Sequence, residues 1–131
     1  MSYQAINFQQ TFDLFSEQWT ANVFSEMNDN QFKVVELEGD FVRHSHPETE
    51  EAFIVIKGWL RIDFRESAVE IDAGEMFVVP KGVVHKPYAE REVKLMLVEP
   101  RDVLNTGDQV SERAAQNDAW IRRATTALEI V

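Results

Sequence analysis

Between Asn22 and Glu99 the apolar residues come in short runs of two-residue period, separated by turn-forming residues. ANVFSEM (21–27) and QFKVVELEG (31–39) flank the triplet Asn28-Asp29-Asn30 and predict a β-hairpin. Further strands are predicted over 41–46, 51–57, 59–64, 68–72, 75–79, 83–88 and 93–99. Pro47-Glu48-Thr49, Gly58, Gly74 and Pro80-Lys81-Gly82 separate most of them. Many short strands at this spacing predict an all-β antiparallel sandwich or barrel rather than α/β units. The period is helical at the two ends. Residues 6–15 predict a short helix capped by Asn7, with Gln10 at the capping-box position and Phe8, Phe12 and Phe15 on one face. A second helix is predicted from about Asp118 to Leu128, with Trp120, Ile121, Ala124 and Leu128 on one side. Residues 101–117 show no period, and a loop of that length is usually packed over something or mobile.

Length and composition narrow the picture. At 131 residues the chain predicts one domain, 1–131, large enough for a single core. It has no cysteine, which excludes disulfides, thiolate metal sites and a cysteine nucleophile. Twenty-three acids against 13 bases give a net charge of −10. Nucleic-acid binding needs a basic face, so no nucleic-acid partner is expected. The first residues, MSYQAINFQQ, have neither a basic nor an apolar segment of the secretory type, and the longest uncharged apolar run, Ala52–Ile56, is too short for a bilayer. The expectation is a cytoplasmic protein with no membrane partner.

All three histidines, His44, His46 and His85, fall between Gly39 and Ala89. On a strand, residues i and i+2 share a face at roughly 6.5 Å of rise, so His44 and His46 project together and can bend towards one ion. If Pro47–Glu50 form a four-residue hairpin loop, His46 stands opposite Glu51 and His44 opposite Phe53. Glu51 is then the better carboxylate ligand, with Glu50 the alternative if the register slips by one. His85 follows the Pro80-Lys81-Gly82 turn and reaches the others only if the sheet closes on itself. Glu48 and Glu50 otherwise read as a solvated loop. Phe53, Val55, Leu60, Ile62, Phe64, Phe77 and Val79 read as packing residues, and Arg43, Lys57, Trp59, Arg61 and Tyr88 as outward or interface residues.

The arrangement resembles the cupin superfamily, in particular its short bacterial single-domain members. The first cupin motif, G-x5-H-x-H-x3/4-E-x6-G in outline, is similar to Gly39, His44, His46, Glu51 and Gly58, with four residues rather than five after Gly39. The second, G-x5-P-x-G-x2-H-x3-N, is similar to Gly74, Pro80, Gly82 and His85, with Ala89 in place of the Asn. The resemblance implies a small jelly-roll barrel in which His44, His46, Glu51 and His85 hold one divalent transition metal. Three nitrogens and one carboxylate oxygen suit Mn, Fe, Co, Ni, Cu or Zn alike. By the same resemblance the chain is expected to be a metal-dependent enzyme, an oxygenase or isomerase-like, acting on a small organic molecule. The alternative is a non-catalytic module binding a sugar-like or aromatic ligand. A homodimer is also implied, with Trp59 or the N-terminal strands at its interface. No separate general acid or base is identifiable, although Glu51 can double as a proton acceptor.

Overall fold

The computed structural model describes residues 3–15, 17–103, 107 and 120–121. Among these, one short helix, α1 (Phe8–Phe12), precedes seven strands. The strands are β1 (Asn22–Met27), β2 (Asn30–Asp40), β3 (Glu51–Lys57), β4 (Trp59–Asp63), β5 (Ala68–Asp72), β6 (Met76–Val79) and β7 (Lys86–Pro100). All the strand pairings are antiparallel. The sheet runs β1-β2-β7-β3-β6, and β4 joins it through β7 while pairing β5 on its other side.

The 15-residue β7 is the spine of this antiparallel jelly-roll barrel. Its first residues pair with β4, and its later ones lie between β2 and β3. The two strands expected over 83–88 and 93–99 are therefore one. The sequence pattern broke there because Glu90, Arg91 and Glu92 are all exposed, opposite a register shift between Leu37 and Gly39 in β2. The expected first hairpin forms with a two-residue turn: Met27 pairs with Asn30, and Asn28 adopts the left-handed conformation that Asn tolerates. At Gly58, between β3 and β4, φ is +90° and an added Cβ would lie 3.1 Å from the Glu92 carbonyl oxygen, so the position requires glycine.

The barrel core is built from in-phase residues of facing strands, among them Val35, Leu37, Phe53, Val55, Leu60, Ile62, Ile71, Val93 and Leu95. The expected packing residues Phe53, Val55, Leu60, Ile62 and Val79 are buried there, with Phe64 and Phe77 half-buried against them. Phe12, Val34 and Met96 are buried outside this cluster. Helix α1 is shorter than the 6–15 expected. Its cap is as anticipated, the Gln10 backbone N–H donating to Asn7 Oδ1 at 2.9 Å. Of its aromatic face, Phe12 is buried whereas Phe8 is largely exposed.

Most of the helix expected over 118–128 lies outside the described residues. Trp120 and Ile121 meet β1 as a parallel bridge to Val23, with the Ile121 N–H donating to the Val23 carbonyl. Of the 101–117 loop, Arg101–Val103 and Gly107 are described. Gly107, at φ +57°, lies against Ser45 and His44, and an added Cβ would collide with the Ser45 carbonyl oxygen. No helix among the described residues is long and apolar enough to cross a membrane.

Candidate metal centre

β3 has no free edge, and this fact positions the site. β6 pairs with one side of it and β7 with the other. The segment 41–46 therefore cannot form the hairpin with β3 that its sequence suggested. Glu51 pairs with Val79 instead of His46, and Phe53 pairs with Phe77 and Leu97 instead of His44. The segment pairs instead with residues 82–87. The Phe41 N–H donates to the Pro87 carbonyl, His44 and His85 exchange backbone hydrogen bonds of 2.9 and 2.8 Å, and the Gly82 N–H donates to the His46 carbonyl. Residues 41–46 are thus an extended segment with one bridge, not a full strand.

This pairing delivers His85 directly. Its ring centroid is 4.4 Å from that of His44 and 5.8 Å from that of His46. Glu51, the first residue of β3, completes the group from the facing strand. The candidate ligand atoms of His44, His46, Glu51 and His85 all lie within 4.8 Å of one another. All four residues are buried, at 2%, 5%, 4% and 0% exposure. Glu50 is exposed and Glu51 buried, which separates the two carboxylates left open by the sequence.

The hydrogen bonds set the tautomers. A carbonyl oxygen only accepts, so His44 Nδ1–H donates to the Val42 carbonyl at 2.8 Å and His85 Nδ1–H to that of Val83 at 2.9 Å. Each ring then presents its Nε2 lone pair. Among the described residues, His46 Nε2, His85 Nε2 and Glu51 Oε1 are buried without a hydrogen-bond partner. His46 Nε2 is 3.3 Å and His85 Nε2 3.7 Å from Glu51 Oε1, near but not aligned. Orphaned buried polar atoms cost about 1–3 kcal/mol each, and one cation would satisfy all three. A span of 4.8 Å is only slightly wider than the ~4.2 Å between opposed ligands at metal bonds of ~2.1 Å. The donor set is therefore able to hold a metal.

Protonation agrees with that fit. Burial lowers the His44 pKa to about 4, outweighing the hydrogen bond to Val42, so the ring is neutral near pH 7. Burial pushes Glu51 up, but the contacts with His46 and His85 more than offset it and hold its carboxyl well below the usual range. Glu99 moves the other way. Burial and the charge on Glu51 raise it, against the pull of Lys33.

Beside the cluster lies a cavity of about 40 Å³. At roughly 10–15 Å³ per water, it has room for about three or four. Its described walls are mainly apolar, including Trp19, Leu37, Phe41, Phe53, Pro87 and Leu97, and His44 and Glu51 are the two ionisable groups among the described lining residues. Trp19 and Phe41 stack on each other at 5.3 Å, with planes 13° apart. Sequence reasoning missed Trp19 and Phe41 because neither belongs to a motif. It also missed Lys33 and Glu99, although both sit in phase with inward apolar residues, where a charge is out of place. Arg43 and Lys57 are exposed as expected, and Arg61 lies over the Tyr88 ring at 4.5 Å.

Comparison with known proteins agrees with the geometry. The Cupin domain family matches residues 32–99, the stretch that contains the whole cluster. A cupin-2 domain-containing protein of Shewanella frigidimarina is 53% identical, covering 73% of this chain and 94% of that one, with a TM-score of 0.73. A Neisseria meningitidis protein is 32% identical over 74% of this chain and 99% of its own, with a TM-score of 0.68. The uncharacterized protein YdbB of Bacillus subtilis is 36% identical over 63 residues, 47% of this chain. That match spans 56% of YdbB, so this chain corresponds to little more than half of its length. By fold, by the family match and by these relatives, the chain belongs to the cupin family.

Proposed function

We propose that the protein is a metal-dependent enzyme, an oxygenase or isomerase-like, acting on a small and largely apolar organic molecule. His44, His46, Glu51 and His85 hold one divalent transition metal of the series Mn, Fe, Co, Ni, Cu or Zn. The observation that carries this reading is the set of three orphaned donor atoms in a buried cluster that borders an apolar cavity. A bound metal would supply Lewis acidity and, if redox-active, oxygen chemistry. The chain's own residues supply the rest. The Val42 and Val83 carbonyls fix the ring orientations of His44 and His85. Glu51, held ionised, is the group able to accept a proton, and the walls around it are mainly apolar.

The wall chemistry also separates the two ligand classes considered from the sequence. A sugar carries several hydroxyls, and each left unmatched in an apolar site costs about 1–3 kcal/mol. Among the described lining residues only His44 and Glu51 offer ionisable partners, and none is a lysine or arginine that could take a phosphate. An aromatic or aliphatic substrate with one polar end fits better. A non-catalytic module binding such a ligand is the second reading. It is favoured by the want of any other acid or base among the described lining residues.

Metal analysis of the purified protein, with Glu51→Ala beside it, tests the reading. About one equivalent of metal in the wild type and a much reduced content in the variant are expected. No metal in either would refute it. Oxygen uptake or isomerisation with apolar substrates separates enzyme from module. The reading also includes a homodimer located in the cytoplasm, which sedimentation and cell fractionation check.

A further inference from the structure

Every described residue that lines the cavity is buried except Trp19, which is half-buried. Among the described residues, then, the Trp19 indole is the part of the wall that separates the cavity from solvent. It also stands outside the sheet, in the turn between α1 and β1. The Trp19 N–H donates to the Glu36 carbonyl at 2.9 Å, which ties the backbone of this turn to β2. The indole beyond it turns about its own side-chain bonds. The Trp19 backbone is left-handed, with φ at +71°, a conformation that a bulky residue rarely adopts. Residues held in this way cluster at ligand clamps and switch regions.

The indole covers Phe41. The two rings stack at 5.3 Å with planes 13° apart. Phe41 is held from behind, its N–H bonded to the Pro87 carbonyl, and its ring meets that of His44 edge-on at 5.5 Å. A ring seated on Phe41 therefore lies next to the histidine cluster. The closed cavity has no space for one. Its volume of about 40 Å³ is far below the roughly 150 Å³ that holds a benzene molecule. Swinging the indole outward would add its place to the cavity and uncover Phe41. A planar ring that enters recovers the stacking that the indole gives up, and a puckered aliphatic ring of similar size does not.

We propose that Trp19 is the gate of the cavity, and that the substrate is a planar aromatic molecule which displaces the indole and stacks on Phe41 in its place. The inference rests on the reading of the cavity as the substrate site and narrows the apolar class proposed above to aromatic rings.

The test is fluorine NMR of the full-length protein, as purified, with its three tryptophans replaced by fluorotryptophan. Trp19→Phe assigns the Trp19 signal. The probe is phenol, a planar ring with one polar end, and cyclohexanol is the puckered control of similar size. Phenol is expected to saturate and to move the Trp19 signal to a solvent-exposed position, read as a larger difference between light and heavy water. It should bind roughly 2–10-fold more tightly than cyclohexanol, the gain from one ring stack. Phe41→Leu should erase that preference. Trp19→Ala, with the gate removed, should bind phenol at least as tightly as wild type, whereas loss of a fixed wall would weaken binding. The wild-type signal decides the matter even where this variant does not fold. Phenol that binds while the Trp19 signal stays buried, or that binds Trp19→Ala alone, would overturn the gate and leave the apolar cavity standing. Equal affinity for cyclohexanol would overturn the aromatic class. Saturable binding of phenol to neither protein would remove the reading of the cavity as the substrate site and this inference with it, whatever the metal content.

Discussion

The inward faces of β2, β7 and β3 change character along their length, and the contrast between the two ends separates stability from function. At one end Leu37 pairs with Val93, and Val35 with Leu95, which also pairs with Val55. These side chains are apolar and buried. At the other end stand Gln31, Lys33, Glu99 and Glu51, with His44, His46 and His85 beside them. Among the described residues, five side-chain atoms in this second set are buried without a partner: Gln31 Oε1, His46 Nε2, Glu51 Oε1, His85 Nε2 and Glu99 Oε1. The apolar end supplies folding energy through area removed from water. The polar end costs folding energy and contains the cluster able to hold a metal.

That division can be broken experimentally. The largest effect is expected from Leu60→Ala, which empties a fully buried position in the apolar core. It should cost about 2–5 kcal/mol in urea unfolding and leave metal affinity unchanged. His46→Ala should do the reverse, abolishing tight metal binding while leaving metal-free stability near that of wild type. If His46→Ala costs as much stability as Leu60→Ala, the two ends are not distinct.

The second effect is on pH dependence. The His44 pKa is lowered from 6.5 to about 4 in the folded chain, chiefly by burial. The unfolded chain therefore takes up this proton first. Stability of the metal-free protein is full above pH 6.5, falls as pH drops from there to about 4, and levels off below, for this residue. The total loss is about 3 kcal/mol, and it should vanish from the urea titration of His44→Phe. A variant that keeps the full pH dependence would assign it to other groups.

Gly107→Ala should follow. Its methyl group meets the Ser45 carbonyl and the His44 ring, so the expected cost is about 1–3 kcal/mol together with weaker metal binding. Gly58→Ala, far from the cluster, should cost about 1–2 kcal/mol for its left-handed backbone and spare the metal. The smallest effect is expected from Asp63→Asn, no more than about 1 kcal/mol, because its partner Arg61 is part-exposed and screened.

How much of this was legible beforehand differs between the same two regions. The apolar end was plain in the sequence, because Phe53, Val55, Leu60 and Ile62 follow the two-residue period that burial on one face imposes. The four cluster residues were legible as candidates from residue type and spacing, and the structure brings them together. How they meet was not legible. Local spacing favoured a hairpin between 41–46 and β3, whereas β6 and β7, distant in sequence, occupy both edges of β3. Competition for a strand edge is a property of the whole sheet and leaves no mark on a short segment. Lys33 and Glu99 did leave a mark, since each is a charge in an apolar phase. Their shared contact becomes visible only when β2 and β7 are laid side by side. The Gly107 contact with Ser45 had no local signal at all.

The most direct measurement is anomalous diffraction from crystals of the protein loaded with one equivalent of Co(II), collected across the cobalt edge. The account predicts a single peak within about 2.1 Å of Nε2 of His44, His46 and His85, with Glu51 Oε1 completing the set. A peak anywhere else, or an empty cluster in protein that carries the ion in solution, would contradict it.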